Sequence, residues 1–431
     1  MKAYKFRLYP STEQEKILIR QLSLSRELYN AFLQQRIYAH RMGMTINYNY
    51  QQDQIPDLKK EFNEYRIIHS QVLQDVARRA DKAYDNFYRR IREKKNGKHI
   101  KAGFPRFKSA DRYRSITYPQ SGFEILDNGH LSLSKIGRVR MFMHRQIEGQ
   151  IKTLSIMRDG VGDWYASFSV IPAEQEHTAI QPHSEKCVGG DVGLLHLMTL
   201  SDGTIIEPPK FLAKGEKSLI KAQRNLSKKK KGSNNREKAK KTLAKEHRKI
   251  KRQRDDYAHK ASNKIVASGD IIALEDLNGA GMVKNHNLAK SIIDASWNTL
   301  VQHITYKAES AGKVVVLVNP RDTSKTCSSC DWVKEYMTLS DRIFLCDRCG
   351  LEIDRDLNAS INIRNRGIAK VGRGTPEVTP VEIGALLERA TPVVESGSPL
   401  HWQGEDVTRP IVHSFHIGFF NLPTKTFRTE F

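Results

Sequence analysis

Two hydrophobic periods divide this chain. A short alternating stretch, YKFRLYP, predicts a strand. Behind it Ser11 and Gln14 form a capping box ahead of Leu18, Leu22, Leu28, Tyr29 and Phe32 at helical spacing. Helical periodicity continues to about residue 95. In SQVLQDVARRADKAYDNFYRRIREKK, Val72, Val76, Ala83 and Phe87 outline an apolar face while Arg and Lys crowd the other. Residues 1–113 are therefore expected to be an N-terminal strand and a basic helical bundle. From residue 114 the period drops to two. GFEILDNG, HLSLSKIGRVRMFM, IKTLSIMRDGVG and DWYASFSVI read as short strands parted by Asn-Gly, Asp-Gly and Gly turns, so a small β-sheet or barrel is expected over residues 114–184.

Further on, CVGGDVGLLHLMTLSDGTIIEPP predicts a strand, a Gly-rich bend and a hairpin turning at Ser201 to Gly203. DIIALEDL and KVVVLVNP are β-branched runs flanking the helical ASWNTLVQHITYKAESAG, which suggests an α/β unit with a buried sheet. Residues 213–265 are so rich in Lys and Arg that they read as a basic helical hairpin, broken at Gly232 to Asn235. That hairpin is a solvated charged face or a phosphate-tracking surface, and the two are compatible. Beyond residue 366 the period fails, and residues 367–431 are expected to be a disordered tail, with IVHSFHIGFFNLP apolar enough to dock locally. The fold class is multidomain α+β.

Charge narrows the range of partners. Lys and Arg number 71 against 48 acidic residues among 431, a formal net charge of +23 that favours a polyanion such as nucleic acid. No apolar run approaches the roughly 20 residues that cross a bilayer, and MKAYKFRLYPSTEQ lacks a secretory apolar region. A cytoplasmic protein without a membrane partner is expected. Of five cysteines, Cys327, Cys330, Cys346 and Cys349 form two Cys-x-x-Cys knuckles with a fifteen-residue gap. Four thiolates complete a tetrahedral shell and leave no position for water, so one structural zinc is expected, with a redox pair or an iron site as the alternatives. In the gap, Trp332 and Tyr336 could pack over the cage or stack on a base. Cys187 reads as an ordinary buried thiol.

Three acidic sites stand apart because each ends an apolar strand or opens a helix: Asp191 after CVGG, Glu275 after IIAL, and Asp356 in DRDLNASINI. Carboxylates from distant strand ends can converge and hold hard divalent cations, and phosphodiester hydrolysis benefits from two Mg²⁺ ions roughly 3.5–4 Å apart. The plainer reading is a turn or helix cap at each, with Asp354 and Asp356 both capping the helix that follows.

GGDVG, ALEDLNGAGM, TSKTCSSC, CDRCG and DRDLNASINI, in that order, resemble TnpB, the insertion-sequence-associated ancestor of the type V CRISPR effector nucleases, and YKFRLYPSTEQE and GFPRFKSADRYRSITY are similar to its remaining signatures. The resemblance covers residues 1 to 366. It implies a split RuvC nuclease domain of RNase H-like fold over residues 185–366, with the zinc ribbon at 323–350 inserted before the last acidic motif. It further implies that Asp191, Glu275 and Asp356 are the catalytic triad and Mg²⁺ ligands, with Asp354 accessory. The implied partners are a guide RNA from the transposon end and double-stranded target DNA beside a short flanking motif; a monomer is expected, with an oligomer as the alternative. Nucleic-acid contacts are expected at Gln71 and Gln74, three apart on one helix face, and at Arg106 and Lys108 in GFPRFK. For the glutamines, a role as exposed polar residues weighs at least equally; Phe104 and Phe107 beside the basic pair could be core. Three departures from the family pattern are the second glycine of GGDVG, Asp331, where Gly often follows the first knuckle, and Ser360 in DRDLNAS, where Ala is common. Competing functions are an RNA-guided DNA-binding repressor without cleavage and an RNase H-like transposase; retention of all three acidic residues argues against the first, and Glu275 as the middle residue against the second.

Overall fold

The computed structural model describes residues 1–172, 186–277, 297–338 and 341–372, and the tail expected beyond them lies outside the described residues. The chain divides into two units, the first holding the described residues up to 172 and the second those from 186 onward.

In the first unit, strand β1 (Lys2–Tyr9) leads into helix α1 (Thr12–Arg41), followed by the short helices α2 (Tyr48–Gln52) and α3 (Ile55–Glu61) and the long α4 (Ser70–Lys95). The capping box is present: the Ser11 hydroxyl accepts the Gln14 N–H, and the Gln14 side chain accepts the Ser11 N–H. Gln14 also donates to the Arg138 carbonyl at 2.8 Å, which ties the start of the helix to the sheet. Strands β2 (Ser115–Tyr118), β3 (Phe123–Leu126), β4 (His130–Leu133), β5 (Gly137–Phe142), β6 (Gln150–Arg158) and β7 (Trp164–Ile171) join β1 in a seven-stranded sheet ordered β2-β6-β7-β1-β5-β4-β3. The sheet curls, because the turn from β2 to β3 joins its two ends and brings Tyr118 and Phe123 to 6.3 Å between ring centroids.

Here the expected division at residue 113 gives way. β1 pairs antiparallel with both β7 and β5, so the N-terminal strand belongs to the β-rich part and the helices are an insertion after its first strand. One continuous core, including Phe6, Phe32, Val76, Tyr118 and Phe168, runs through both. A strand's local pattern does not reveal its partners, which lie more than 130 residues away.

The second unit is built on a five-stranded sheet ordered β10-β9-β8-β11-β12, from β8 (Cys187–Asp191), β9 (Met198–Leu200), β10 (Ile205–Ile206), β11 (Ile271–Glu275) and β12 (Val314–Val318). The first three form an antiparallel meander, whereas β11 and β12 run parallel to β8. Helices α5 (Phe211–Ser227) and α6 (Asn234–Ser268) form the expected basic hairpin, with Ser233 capping α6. α6 and α7 (Trp297–Ser310) cover one face of the sheet through Ile265, Leu300 and Ile304. Helix α8 (Arg355–Gly372), six residues longer than the expected limit at 366, covers the other. Between β12 and α8 lie the cysteine knuckles and a hairpin of β13 (Ile343–Leu345) and β14 (Glu352–Asp354).

Candidate metal centres and nucleic-acid surfaces

Strand alternation decides where the acidic residues point. In β11, Ile272 and Leu274 pack toward α6 and α7, whereas Ile271 and Ala273 face α8. In β8, Val188 and Gly190 face the first side, Cys187 and Gly189 the second. The next residue of each strand, Glu275 and Asp191, therefore falls on the α8 side. The parallel register pairs Leu274 with Gly190, so Asp191 and Glu275 are side by side on strands about 4.8 Å apart. α8 begins on that same side and carries Asp356 in its first turn.

Two glycines let the helix come this close. A Cβ at Gly189 would lie 2.1 Å from the Ser360 carbonyl oxygen, and one at Gly367 would lie 2.5 Å from Ala273 Cβ. Gly190, on the other face, leaves room for Met198 and Leu274. Asp354 is the helix cap: its Oδ1 accepts the N–H groups of Asp356 and Leu357, both at 2.9 Å. Asp356 is consequently free of capping and is held from one side by the Arg355 guanidinium at 3.2 Å.

The electrostatics follow from this crowding. Burial, then the Glu275 and Asp356 carboxylates, raise the Asp191 carboxyl well above the usual range, with Arg355 pulling the other way. Burial also raises Glu275, opposed by a hydrogen bond from Thr323 and the charge of Arg366. No hydrogen-bond donor among the described residues reaches the Asp191 carboxylate. A partly buried carboxylate without a donor, repelled by two others, is a donor set that suits a hard divalent cation.

The four cysteine sulfurs lie within 4.8 Å of one another, with Cys327 to Cys349 and Cys330 to Cys346 each at 3.6 Å. Zinc–sulfur bonds of about 2.3 Å in a tetrahedron require nearly this spacing, so the cage fits zinc. Each knuckle ends in a left-handed residue, Asp331 at φ 58° and Gly350 at φ 74°, so Asp331 adopts the conformation that glycine takes at the equivalent point of the second knuckle. Trp332 packs against the cage with Phe344 and Met337, whereas Tyr336 is 77% exposed. The cage is tied to α8 by a ladder four residues apart: Asn358 accepts the Ser328 N–H and donates to the Thr326 carbonyl, Asn362 donates to the Thr323 and Thr326 carbonyls, and Arg366 donates to the Asn319 and Arg321 carbonyls. Sequence reasoning missed Thr323, Asn362 and Arg366. The four-residue spacing on a helix that follows DRD was the one available signal.

In the first unit, Gln71 accepts the Ser121 N–H at 2.9 Å, and Gln74 lines a cleft of about 420 Å³ with Gln52, Lys59 and Ser70. Arg106 and Lys108 are exposed, the Lys108 backbone being clasped on both sides by the Asn30 side chain. Phe104 and Phe107 are about half exposed rather than core, although Phe104 meets Phe87 edge-on at 5.2 Å. A surface not foreseen from sequence lies on the outer face of β1, β5 and β7, where Lys5 and Arg7 stack on Tyr165 and Arg7 and Arg140 on Tyr9, at 4.5–6.0 Å. Cations interleaved with aromatic rings are the composition that binds single-stranded nucleic acid.

Comparison with known proteins adds three matches along the chain. Residues 170–286 match a family described as "Probable transposase", residues 297–363 a "Cas12f1-like, TNB domain", and residues 1–45 a "Helix-turn-helix domain". The last segment folds here as a strand, one thirty-residue helix and a short turn. Over 380 residues the chain is 32% identical to a "Putative RNA-guided DNA endonuclease" of Streptomyces pristinaespiralis, covering 85% of this chain and 90% of that protein. It is 31% identical over 393 residues to the "Putative RNA-guided DNA endonuclease InsQ" of Escherichia coli, covering 87% and 94%. Among solved structures, the Cas12f1–sgRNA–target DNA complex aligns with a TM-score of 0.54 at 17% identity, covering 82% of this chain and 83% of that one, a likeness of fold.

Proposed function

The chain belongs to the TnpB family, and on that premise we propose that it is an RNA-guided DNA endonuclease whose second unit is an RNase H-like nuclease core. The antiparallel meander followed by two strands parallel to the first supports that reading of the core. The observation that carries it furthest is the convergence of Asp191, Glu275 and Asp356 on the α8 side of one sheet, where burial first and then the neighbouring carboxylates raise Asp191.

In this reading Asp191, Glu275 and Asp356 hold two Mg²⁺ ions. Such ions, when bound, activate water and stabilise the leaving oxygen of a phosphodiester. The chain's own part is to fix the three carboxylates: two by strand register, the third by the Asp354 cap, with Arg355 offsetting the charge. Asp354 acts here as a helix cap through Oδ1, which leaves its other oxygen for an accessory part in ion binding. The cage holds one structural zinc and anchors the segment that delivers Asp356. Guide RNA supplies sequence recognition by pairing, while the first unit contributes backbone and flanking-motif contacts through Gln74, Arg106, Lys108 and the Tyr9–Arg7–Tyr165 surface.

The test uses the purified chain with its co-purifying RNA and a matched double-stranded target in Mg²⁺. Asp191→Ala, Glu275→Ala and Asp356→Ala are each expected to abolish cleavage while target binding persists. Undiminished cutting by any one of them removes that residue from the triad. A wild-type complex that binds and leaves the target intact establishes the repressor reading, and strand-transfer products establish the transposase.

A further inference from the structure

The segment between β12 and the cage reaches into the acidic cluster through one side chain. Thr323, 3% exposed, donates its hydroxyl to Glu275 Oε1 at 2.5 Å, the length of a charge-assisted hydrogen bond to a carboxylate. Its position is over-determined. Asp322 turns the chain at φ 59°, and its carbonyl accepts the Lys325 and Thr326 N–H groups and the Thr326 hydroxyl. The Thr323 carbonyl accepts from Asn362 of α8, and four residues further on Cys327 enters the cage. Glu275 has strand neighbours on either side but receives this hydroxyl from a different segment, so the rotamer of the carboxylate depends on where the cage loop stands.

We infer that Thr323 is a positioning residue for Glu275, fixing which carboxylate oxygen faces the acidic cluster and thereby linking the integrity of the cysteine cage to divalent-ion binding. A carboxylate with one oxygen occupied by a fixed donor presents the other in a single orientation, and loss of such a supporting group typically weakens ion affinity about 10- to 100-fold. The inference rests on the reading of Glu275 as an ion ligand.

The test measures Mn²⁺ binding to the full zinc-loaded chain without target DNA, by electron paramagnetic resonance of the free ion, for Thr323→Val, Thr323→Ser and Glu275→Gln. Thr323→Val is expected to raise the half-saturating Mn²⁺ concentration about tenfold, Thr323→Ser to stay within about twofold of the parent, and Glu275→Gln to weaken binding at least as much as Thr323→Val. If Glu275→Gln binds as the parent does, the ligand reading itself fails. If Glu275→Gln weakens binding and Thr323→Val does not, the positioning role is overturned. Weakening by Ser as large as that by Val shows that a hydroxyl at this position does not by itself place the carboxylate, and likewise overturns it. Should the valine variant not fold, Thr323→Ala against Thr323→Ser makes the same comparison.

Discussion

Gly189→Ala places one methyl group where the structure has no room for it. The new Cβ would stand 2.1 Å from the Ser360 carbonyl oxygen, 2.5 Å from the Arg364 nitrogen and 2.9 Å from Arg364 Cβ. The two nearest atoms are backbone of α8, so no rotamer change relieves them. The helix must retreat by at least about 0.9 Å to restore even a 3.0 Å contact. Overpacking of this kind costs about 3 kcal/mol, the upper end of its usual range, and in a unit of this size lowers Tm by roughly 6–12 °C. Because α8 carries Asp356, the same retreat opens the acidic cluster, and a misplacement of about 1 Å costs roughly 100-fold in rate. Gly190→Ala is the matched control. Its Cβ would meet Met198 Sδ at 2.9 Å and Leu274 Cδ2 at 3.1 Å, both ends of flexible side chains on the far face of the sheet. It is expected to cost about 1 kcal/mol and to leave cleavage within a fewfold of the parent. Differential scanning calorimetry and single-turnover cleavage on both variants decide the matter. Equal effects of the two substitutions, or a Gly189→Ala protein that melts and cuts like the parent, would refute the account of how α8 is seated.

Two further outcomes follow from the metal centres. Cys346→Ser should release zinc and raise amide exchange across residues 320–365, since the cage and the α8 ladder hold that segment; unchanged zinc content by elemental analysis contradicts the assignment. For Asp191, the folded-state pKa lies above the unfolded one, so the metal-free native state loses stability as pH rises from the unfolded carboxylate pKa through the folded one, about 1.4 kcal/mol for each pH unit in which it alone retains the proton. Asp191→Asn should therefore be more stable than the parent in metal-free buffer at pH 8, the gain shrinking toward pH 4, while Mg²⁺ raises the Tm of the parent only; a difference independent of pH shows that the carboxylate is not the source.

What the sequence disclosed and what it withheld divide along physical lines. Asp191 and Glu275 stood out because each ends a short apolar strand, and the fold places them on adjacent strands. The Ser11 and Gln14 cap was legible because both halves of it lie within one turn. The dual reading of Asp354 and Asp356 resolves by hydrogen bonding: Asp354 takes the helix amides and Asp356 does not. What escaped is tertiary. The pairing of β1 with β7 and β5, the outer-face stacking of Arg7 on Tyr9 and Tyr165, and the bond from Thr323 to Glu275 all depend on which segments meet. A threonine in TSKTC carries no local mark that its hydroxyl will be spent on a carboxylate 48 residues earlier.

The acidic cluster is a liability to the fold that surrounds it, and this explains the placement of the cage. Three carboxylates converging in a partly buried pocket cost stability, and strain of that kind persists only where the neighbouring structure over-determines it. Asp191 and Glu275 are fixed by a sheet with apolar packing on both faces. Asp356 has no strand to hold it; it opens a helix, and helix ends fray. Four constraints compensate: the Asp354 cap, the β13–β14 hairpin that delivers the chain to it, the close seat at Gly189, and the ladder of Asn358, Asn362 and Arg366 onto the loop that enters the cage. Four thiolates holding zinc at the end of that loop would give it a rigid terminus with only a small apolar cluster around them, Trp332, Met337 and Phe344. The separation of soft sulfur ligands from hard oxygen ligands then has a consequence for loading: four thiolates favour zinc over Mg²⁺, so a hard ion proposed for the carboxylates would not displace zinc from the cage.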